Sequence, residues 1–132
     1  MNTRASETTP LAGLSILLLE DEFLIALDAQ EILTGLGAAE VEIVNTLAAA
    51  RDALAQTGFD LALLDINVNG EMSFPVAEQF AAEKVPVVFA SGYELRTPPK
   101  LNGAPVPCVS KPYTREDLKN VVVAALAAGR AP

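Results

Sequence analysis

Asp60-Leu61-Ala62-Leu63-Leu64-Asp65 sets four apolar residues between two aspartates, and Ile66-Asn67-Val68-Asn69-Gly70 follows at once. A short apolar run bounded by turn-forming residues reads as a strand buried on both faces, the kind found in parallel sheets. Asp65 then stands where a buried strand meets water. Such a strand needs neighbours, and the chain supplies them. Residues 14–19, Leu-Ser-Ile-Leu-Leu-Leu, form a second buried-strand pattern that stops at Glu20-Asp21-Glu22. Val41-Glu42-Ile43-Val44 alternates and reads as a shorter, more exposed strand. Residues 85–90 read as a fourth strand, with Pro86 near its start, where proline is tolerated. Residues 106–109 read as a brief fifth.

Helical patterns separate these strands. From Phe23, residues Ile25, Ala29, Ile32, Leu33 and Leu36 share one face, with Gly35 and Gly37 as breakers. Thr46 is placed to cap a second helix with Leu47, Ala50 and Leu54 inward, ended by Gly58. Ser73 is expected to cap a third, with Pro75 in its first turn and Val76 and Phe80 inward. Thr114 is expected to cap a last helix, with Glu116 and Asp117 at its positive end and Leu118, Val121, Val122 and Ala125 inward. Residues 94–107 hold four prolines and Gly103, so any helix near Tyr93–Arg96 is short, and the segment is expected to be irregular or mobile.

Strands alternating with helices imply parallel pairing through right-handed crossovers. The expected fold is α/β and flavodoxin-like. It is a doubly wound five-stranded parallel sheet in the order 2-1-3-4-5, with a short or irregular fourth helix. Residues 1–12 are expected to be a flexible lead-in, 13–128 the domain, and 129–132 a tail, with no output domain.

The chain of 132 residues is 51% hydrophobic and carries a net charge of −8. That charge repels nucleic acid and anionic membrane, so neither is an expected partner. No apolar run is long enough to span a bilayer, and residues 1–12 lack the apolar core of a signal peptide. With the single cysteine, Cys108, these features point to the cytoplasm. Histidine is absent, which excludes a histidine base or a histidine metal ligand on this chain. The chemistry left to it is that of carboxylates, hydroxyls, lysine and a hard metal.

Ligands of open parallel sheets bind at the carboxyl ends of the strands. That edge collects Glu20 and Asp21 after the first strand, Asp65 at the third, Ser91 after the fourth and Lys111 after the fifth. Three crowded carboxylates raise one another's pKa unless a cation intervenes, and Mg²⁺ suits such an oxygen-rich set. A carboxylate so placed can act as a nucleophile on phosphorus. Phosphoryl transfer asks mainly for positioning and charge neutralisation. Lys111 supplies a positive charge, and the Ser91 hydroxyl a donor to a phosphoryl oxygen.

Glu20-Asp21, Leu61–Asp65, Ser91 and Lys111-Pro112, in that order, resemble the receiver domain of bacterial two-component response regulators, a CheY-like fold. Phe89-Ala90-Ser91-Gly92-Tyr93 and Gly70-Glu71-Met72-Ser73 look similar to the FAT GUY single-domain subgroup, with serine in place of threonine. The resemblance implies that Asp65 is the phosphoacceptor. It also implies that Asp21, Asp65 and the backbone carbonyl of Asn67 bind Mg²⁺, with Glu20 acting directly or through water. Ser91 would be the switch hydroxyl, and Lys111 would contact the phosphoryl group. The implied partner is a sensor histidine kinase or histidine phosphotransferase, in general stress signalling for the subgroup, and another signalling protein downstream. The chain would take part in its own phosphorylation and dephosphorylation without being an enzyme in the ordinary sense. Receivers often carry an aromatic residue three positions before the lysine; here that position is Cys108, and Tyr93 is the candidate switch aromatic instead. Two other readings stand beside this one. A Mg²⁺-dependent phosphatase with an aspartate nucleophile usually needs a second acid where this chain has Asn67, and a pseudo-receiver would not need the full set of acids, hydroxyl and lysine.

Overall fold

The computed structural model describes residues 9–92 and 99–129. Five strands, β1 (Ser15–Leu19), β2 (Glu40–Val44), β3 (Leu61–Asp65), β6 (Val87–Ser91) and β9 (Cys108–Ser110), form one sheet in the order β2-β1-β3-β6-β9. Every pairing in it is parallel. This is the expected doubly wound order. The switch in strand order falls between β1 and β3, where Leu19 lies beside Leu64.

Two layers of helix cover the sheet, and the period-two alternation of β3 sorts its side chains between them. Leu61 and Leu63 join α1 (Phe23–Gly35) and α4 (Arg115–Gly129) in one core, through Ala26, Ala29, Leu33, Leu118, Val122 and Ala125. Ala62 and Leu64 join α2 (Leu47–Gln56) and α3 (Phe74–Ala82) in the other, through Ala50, Ala53, Val76, Ala77 and Phe80. The expected stripe of α1 is rotated. Ala26 replaces Ile25 and Ile32 at the sheet because alanines let the helix lie close, and both isoleucines end up only partly buried. α2 seats Ala50 and Ala53 in the same way, with Leu47 and Leu54 flanking.

Prolines mark where β6 and the edge strand β9 begin. Pro86 gives no N–H, but its carbonyl accepts from Ala62 N at 2.9 Å. The Pro107 carbonyl accepts from Phe89 N at 2.9 Å. At the opposite end from the candidate site, Asp60 ties β3 to β1: its carboxylate accepts from Ser15 N at 2.8 Å while its own N–H donates to Ser15 O at 2.7 Å.

Two small antiparallel ribbons were not expected from the sequence. β4 (Asn67–Val68) pairs with β5 (Glu71–Met72), and β7 (Lys100–Leu101) pairs with β8 (Ala104–Pro105). Each turns on Asn-Gly with both residues at positive φ: 53° and 87° for Asn69-Gly70, 52° and 82° for Asn102-Gly103. That is the I′ geometry matching strand twist, and Asn-Gly is its strongest sequence signal. The second ribbon corrects the reading of 94–107 as wholly irregular. Of the proposed helix near Tyr93–Arg96, residues 93–96 lie outside the described residues, as do 1–8 of the lead-in and 130–132 of the tail.

Two caps are as expected. Thr46 Oγ1 accepts from Ala49 N at 3.0 Å. Thr114 and Asp117 form a reciprocal box, Asp117 N donating to Thr114 Oγ1 at 3.1 Å and Thr114 N donating to Asp117 Oδ2 at 3.2 Å. Ser73 differs. It occupies the cap position of α3, with Pro75 in the first turn, but its side chain makes no capping bond. Its hydroxyl is engaged elsewhere.

Candidate functional site

The parallel sheet brings three loop starts together at the carboxyl edge of β1, β3 and β9. Glu20 and Asp21 leave β1, Asp65 ends β3, and Lys111 follows β9 with a cis peptide to Pro112. Carboxylate oxygens of Glu20, Asp21 and Asp65 lie within 4.8 Å of one another. Glu20 and Asp65 are nearly buried, at 2% and 4% exposure, and Asp21 is the most open of the three.

Lys111 sits among them. Its Nζ is 3.0 Å from Glu20 Oε1 and 3.2 Å from Asp65 Oδ2. One buried ammonium is thus shared by two buried carboxylates, an arrangement that is tolerated only because each charge has a partner. Burial, and after it the charge of Glu20, push the Asp65 carboxyl up to about 7 against the pull of Lys111. Burial works against the charge on Lys111, but the bond to Glu20 and the two carboxylate charges outweigh it and hold the ammonium above its ordinary range. Burial also acts to raise Asp21, yet its hydrogen bonds, first that from Asn69 N–H, leave it lower than usual.

The β4–β5 ribbon leans over this edge and is latched at its turn. Asn69 N donates to Asp21 Oδ2 at 3.0 Å, and Asn69 Nδ2 donates to the Asn45 carbonyl at 3.1 Å. Inside the turn, Gly70 N donates to Asn67 Oδ1 at 2.9 Å. Glu20 is oriented by its own loop, Oε2 accepting from Glu22 N at 3.1 Å. Ser91 ends β6 and is buried, and its carbonyl accepts from Lys111 N at 2.7 Å, which fixes the lysine loop to the neighbouring strand.

These residues line a cleft of about 620 Å³ whose wall includes Asp21, Asp65, Asn67, Ser91 and Lys111, with apolar contributions from Ile25, Ile66 and Met72. Every candidate residue from the sequence except Tyr93 is therefore at one edge; Tyr93 lies outside the described residues. Three oxygen donors within a few ångströms, with a partly compensated excess of negative charge, suit a hard divalent cation with oxygen ligands. Cys108, where receivers often carry an aromatic, is half-buried, and burial raises its thiol. Two neighbours of the site were missed from sequence. Asn69 belonged to a readable Asn-Gly turn signal, whereas no local signal told that the Ser73 hydroxyl donates to the Asp65 carbonyl.

No family model and no curated protein matches the chain. Among solved structures it is similar to SdrG from Sphingomonas melonis Fr1, at 36% identity over 87% of this chain and 97% of that one, with a TM-score of 0.74. It is similar to the REC domain of the response regulator PhyR from Erythrobacter litoralis, at 25% identity over 93% and 97%, TM-score 0.75. A CheY-like response regulator receiver domain from Methylobacillus flagellatus, at 19% identity over 86% and 99%, TM-score 0.74, shares the fold. A relative of that identity along nearly its whole length, and the same sheet in two receivers, lead to one conclusion: the chain belongs to the response regulator receiver domains.

Proposed function

We propose that the chain takes a phosphoryl group onto Asp65 from the phosphohistidine of a sensor kinase or histidine phosphotransferase, in a Mg²⁺-dependent step of two-component signalling. The observation that supports this most is the sharing of Lys111 Nζ between Glu20 and Asp65 beside Asp21. A carboxylate held at a sheet edge between a cation and an acidic pair suits nucleophilic attack on phosphorus, and this supports the reading over a mere strand end.

In that step an Asp65 carboxylate oxygen bonds phosphorus, the histidine nitrogen–phosphorus bond breaks, and the electron pair stays on the imidazole. Glu20, Asp21, Asp65 and the Asn67 carbonyl would hold Mg²⁺, which when bound neutralises phosphoryl oxygens. Lys111 can keep its contact with Glu20 while turning to a phosphoryl oxygen. Ser91, at the end of β6, is assigned the switch hydroxyl, and Tyr93 remains the proposed reporter aromatic. The Phe89–Tyr93 signature favours the FAT GUY group and its stress signalling. The consequence of phosphorylation is altered binding of a further signalling protein, or storage of the phosphoryl group.

The test is intact mass after incubation with Mg²⁺ and a small acyl phosphate. One hydroxylamine-labile phosphate is expected on the wild type and none on Asp65→Asn. Absence of any adduct on the wild type overturns the reading, and rapid turnover of unrelated phosphomonoesters would place the chain with the phosphatases.

A further inference from the structure

Ser73 is completely buried, and its hydroxyl donates to the backbone carbonyl of Asp65 at 2.6 Å. A serine at a helix cap normally turns its oxygen onto the first free N–H groups of its own helix. Here the cap bond is forgone, and the hydroxyl reaches back eight residues to the residue proposed to be phosphorylated. The place it reaches is one the sheet leaves half held. Pairing of β3 with β1 stops at Leu64, and only the pairing with β6 runs on to Asp65.

Ser73 is itself fixed from three sides. Its N–H donates to Ile66 O at 2.8 Å, its carbonyl accepts from Ala77 N at 2.9 Å, and the adjacent Phe74 ring meets Phe89 of β6 edge-on at 5.2 Å. The donor therefore sits on a rigid element. A hydroxyl bond to the carbonyl of Asp65 limits rotation of that residue's backbone, and with it the direction of the carboxylate.

We propose that Ser73 is a positioning residue: its hydroxyl holds the backbone of Asp65 so that the carboxylate faces the cation and the incoming phosphorus. The proposal rests on the phosphoacceptor reading for its kinetic part and on the carboxylate cluster alone for its cation part. It makes α3 a mechanical extension of the site, since the same residue begins that helix.

The test compares wild type with Ser73→Ala, Ser73→Cys and Ser73→Thr, each first shown to be folded by thermal unfolding. Cysteine keeps the volume but gives a weak donor, whereas threonine keeps the hydroxyl. With a small acyl phosphate and saturating Mg²⁺, the maximal phosphorylation rate of the alanine and cysteine variants is expected to fall about tenfold with the donor's half-saturating concentration unchanged. Calorimetry is expected to show Mg²⁺ binding about tenfold weaker in both, and threonine is expected to restore rate and affinity. If Ser73→Cys matches the wild type in both measurements, the side chain only fills space and the proposal is overturned. If Ser73→Ala fails to fold, the cysteine and threonine variants decide. If the wild type takes up no phosphate, it is the functional reading that fails, and the Mg²⁺ affinities then decide the role of Ser73 by the same comparison.

Discussion

Lys111 Nζ lies 3.0 Å from Glu20 and 3.2 Å from Asp65, so a single ammonium is shared by two buried carboxylates, one just after β1 and one at the end of β3. The lysine is at once a tether between β9, β1 and β3 and the cation paired with the proposed phosphoacceptor. Replacing it exposes what it was holding.

Lys111→Met should leave Glu20, Asp21 and Asp65 without an internal cation. Breaking one partner of a buried pair strands the remaining charge, at a cost of about 3 kcal/mol. Thermal unfolding without metal should show the loss at pH 8, a smaller loss at pH 5 where carboxylates take up protons, and partial recovery on adding Mg²⁺ at pH 8. A loss independent of both pH and Mg²⁺ would mean that the lysine matters for its aliphatic packing.

Mg²⁺ affinity should follow the protonation of Asp65. Its carboxyl is pushed up to about 7, and a cation binds the ionised form, so protons compete around neutral pH. Calorimetry should find binding about tenfold weaker at pH 6 than at pH 8. In Asp65→Asn the dependence over that interval should flatten.

Stability without metal should run the other way. The folded pKa of Asp65 is raised from its ordinary 3.8 to about 7, so the folded state binds this proton more tightly than the unfolded chain. The stability due to this group is full below about pH 4 and is lost as pH rises toward 7. Asp65→Asn removes the charge that burial opposes, and it should be more stable than the wild type by about 1–3 kcal/mol at pH 8, with the gap closing by about pH 4. Denaturant titrations at the two pH values check both sign and closure.

At the turn of the β4–β5 ribbon, glycine is needed at position 70 for its backbone conformation and not for space. A Cβ at Gly70 would meet nothing within 4 Å, yet its φ of +87° is one that side chains rarely adopt. Gly70→Val should cost about 1–2 kcal/mol. Gly58 has equally open surroundings without the positive φ, and Gly58→Val should change stability by less than about 0.5 kcal/mol. Equal effects at the two positions would show that crowding, not φ, sets the cost.

The fold was legible because β3 and β1 carry uninterrupted apolar runs, each ending in acids, and helical patterns separate the strands. Parallel topology then put Glu20, Asp21, Asp65, Ser91 and Lys111 on one edge without any knowledge of side-chain geometry. Less was legible where one residue had two uses. Ser73 reads locally as a cap, and only the return of α3 to the sheet shows its hydroxyl on Asp65. Ile25 and Ile32 read as core by periodicity, but the closeness that Ala26 and Ala29 allow turned the helix. The ribbons were readable in principle, through Asn-Gly at 69–70 and 102–103, but each strand is only two residues long and gives no period to detect.

The latched turn also bears on how the protein ages. An asparagine followed by glycine is the pair most prone to lose its side-chain amide, because the glycine nitrogen can close on the asparagine side-chain carbonyl carbon and expel ammonia. At Asn69-Gly70 that nitrogen donates to Asn67 Oδ1 at 2.9 Å, and the Asn69 amide is tied to Asn45 at 3.1 Å, so both reacting groups are held in other bonds. The folded chain thereby shelters this pair from a slow chemical lesion that would set a further negative charge beside Asp21, and the durability of this turn is a property of the same few hydrogen bonds that hold the ribbon against the site.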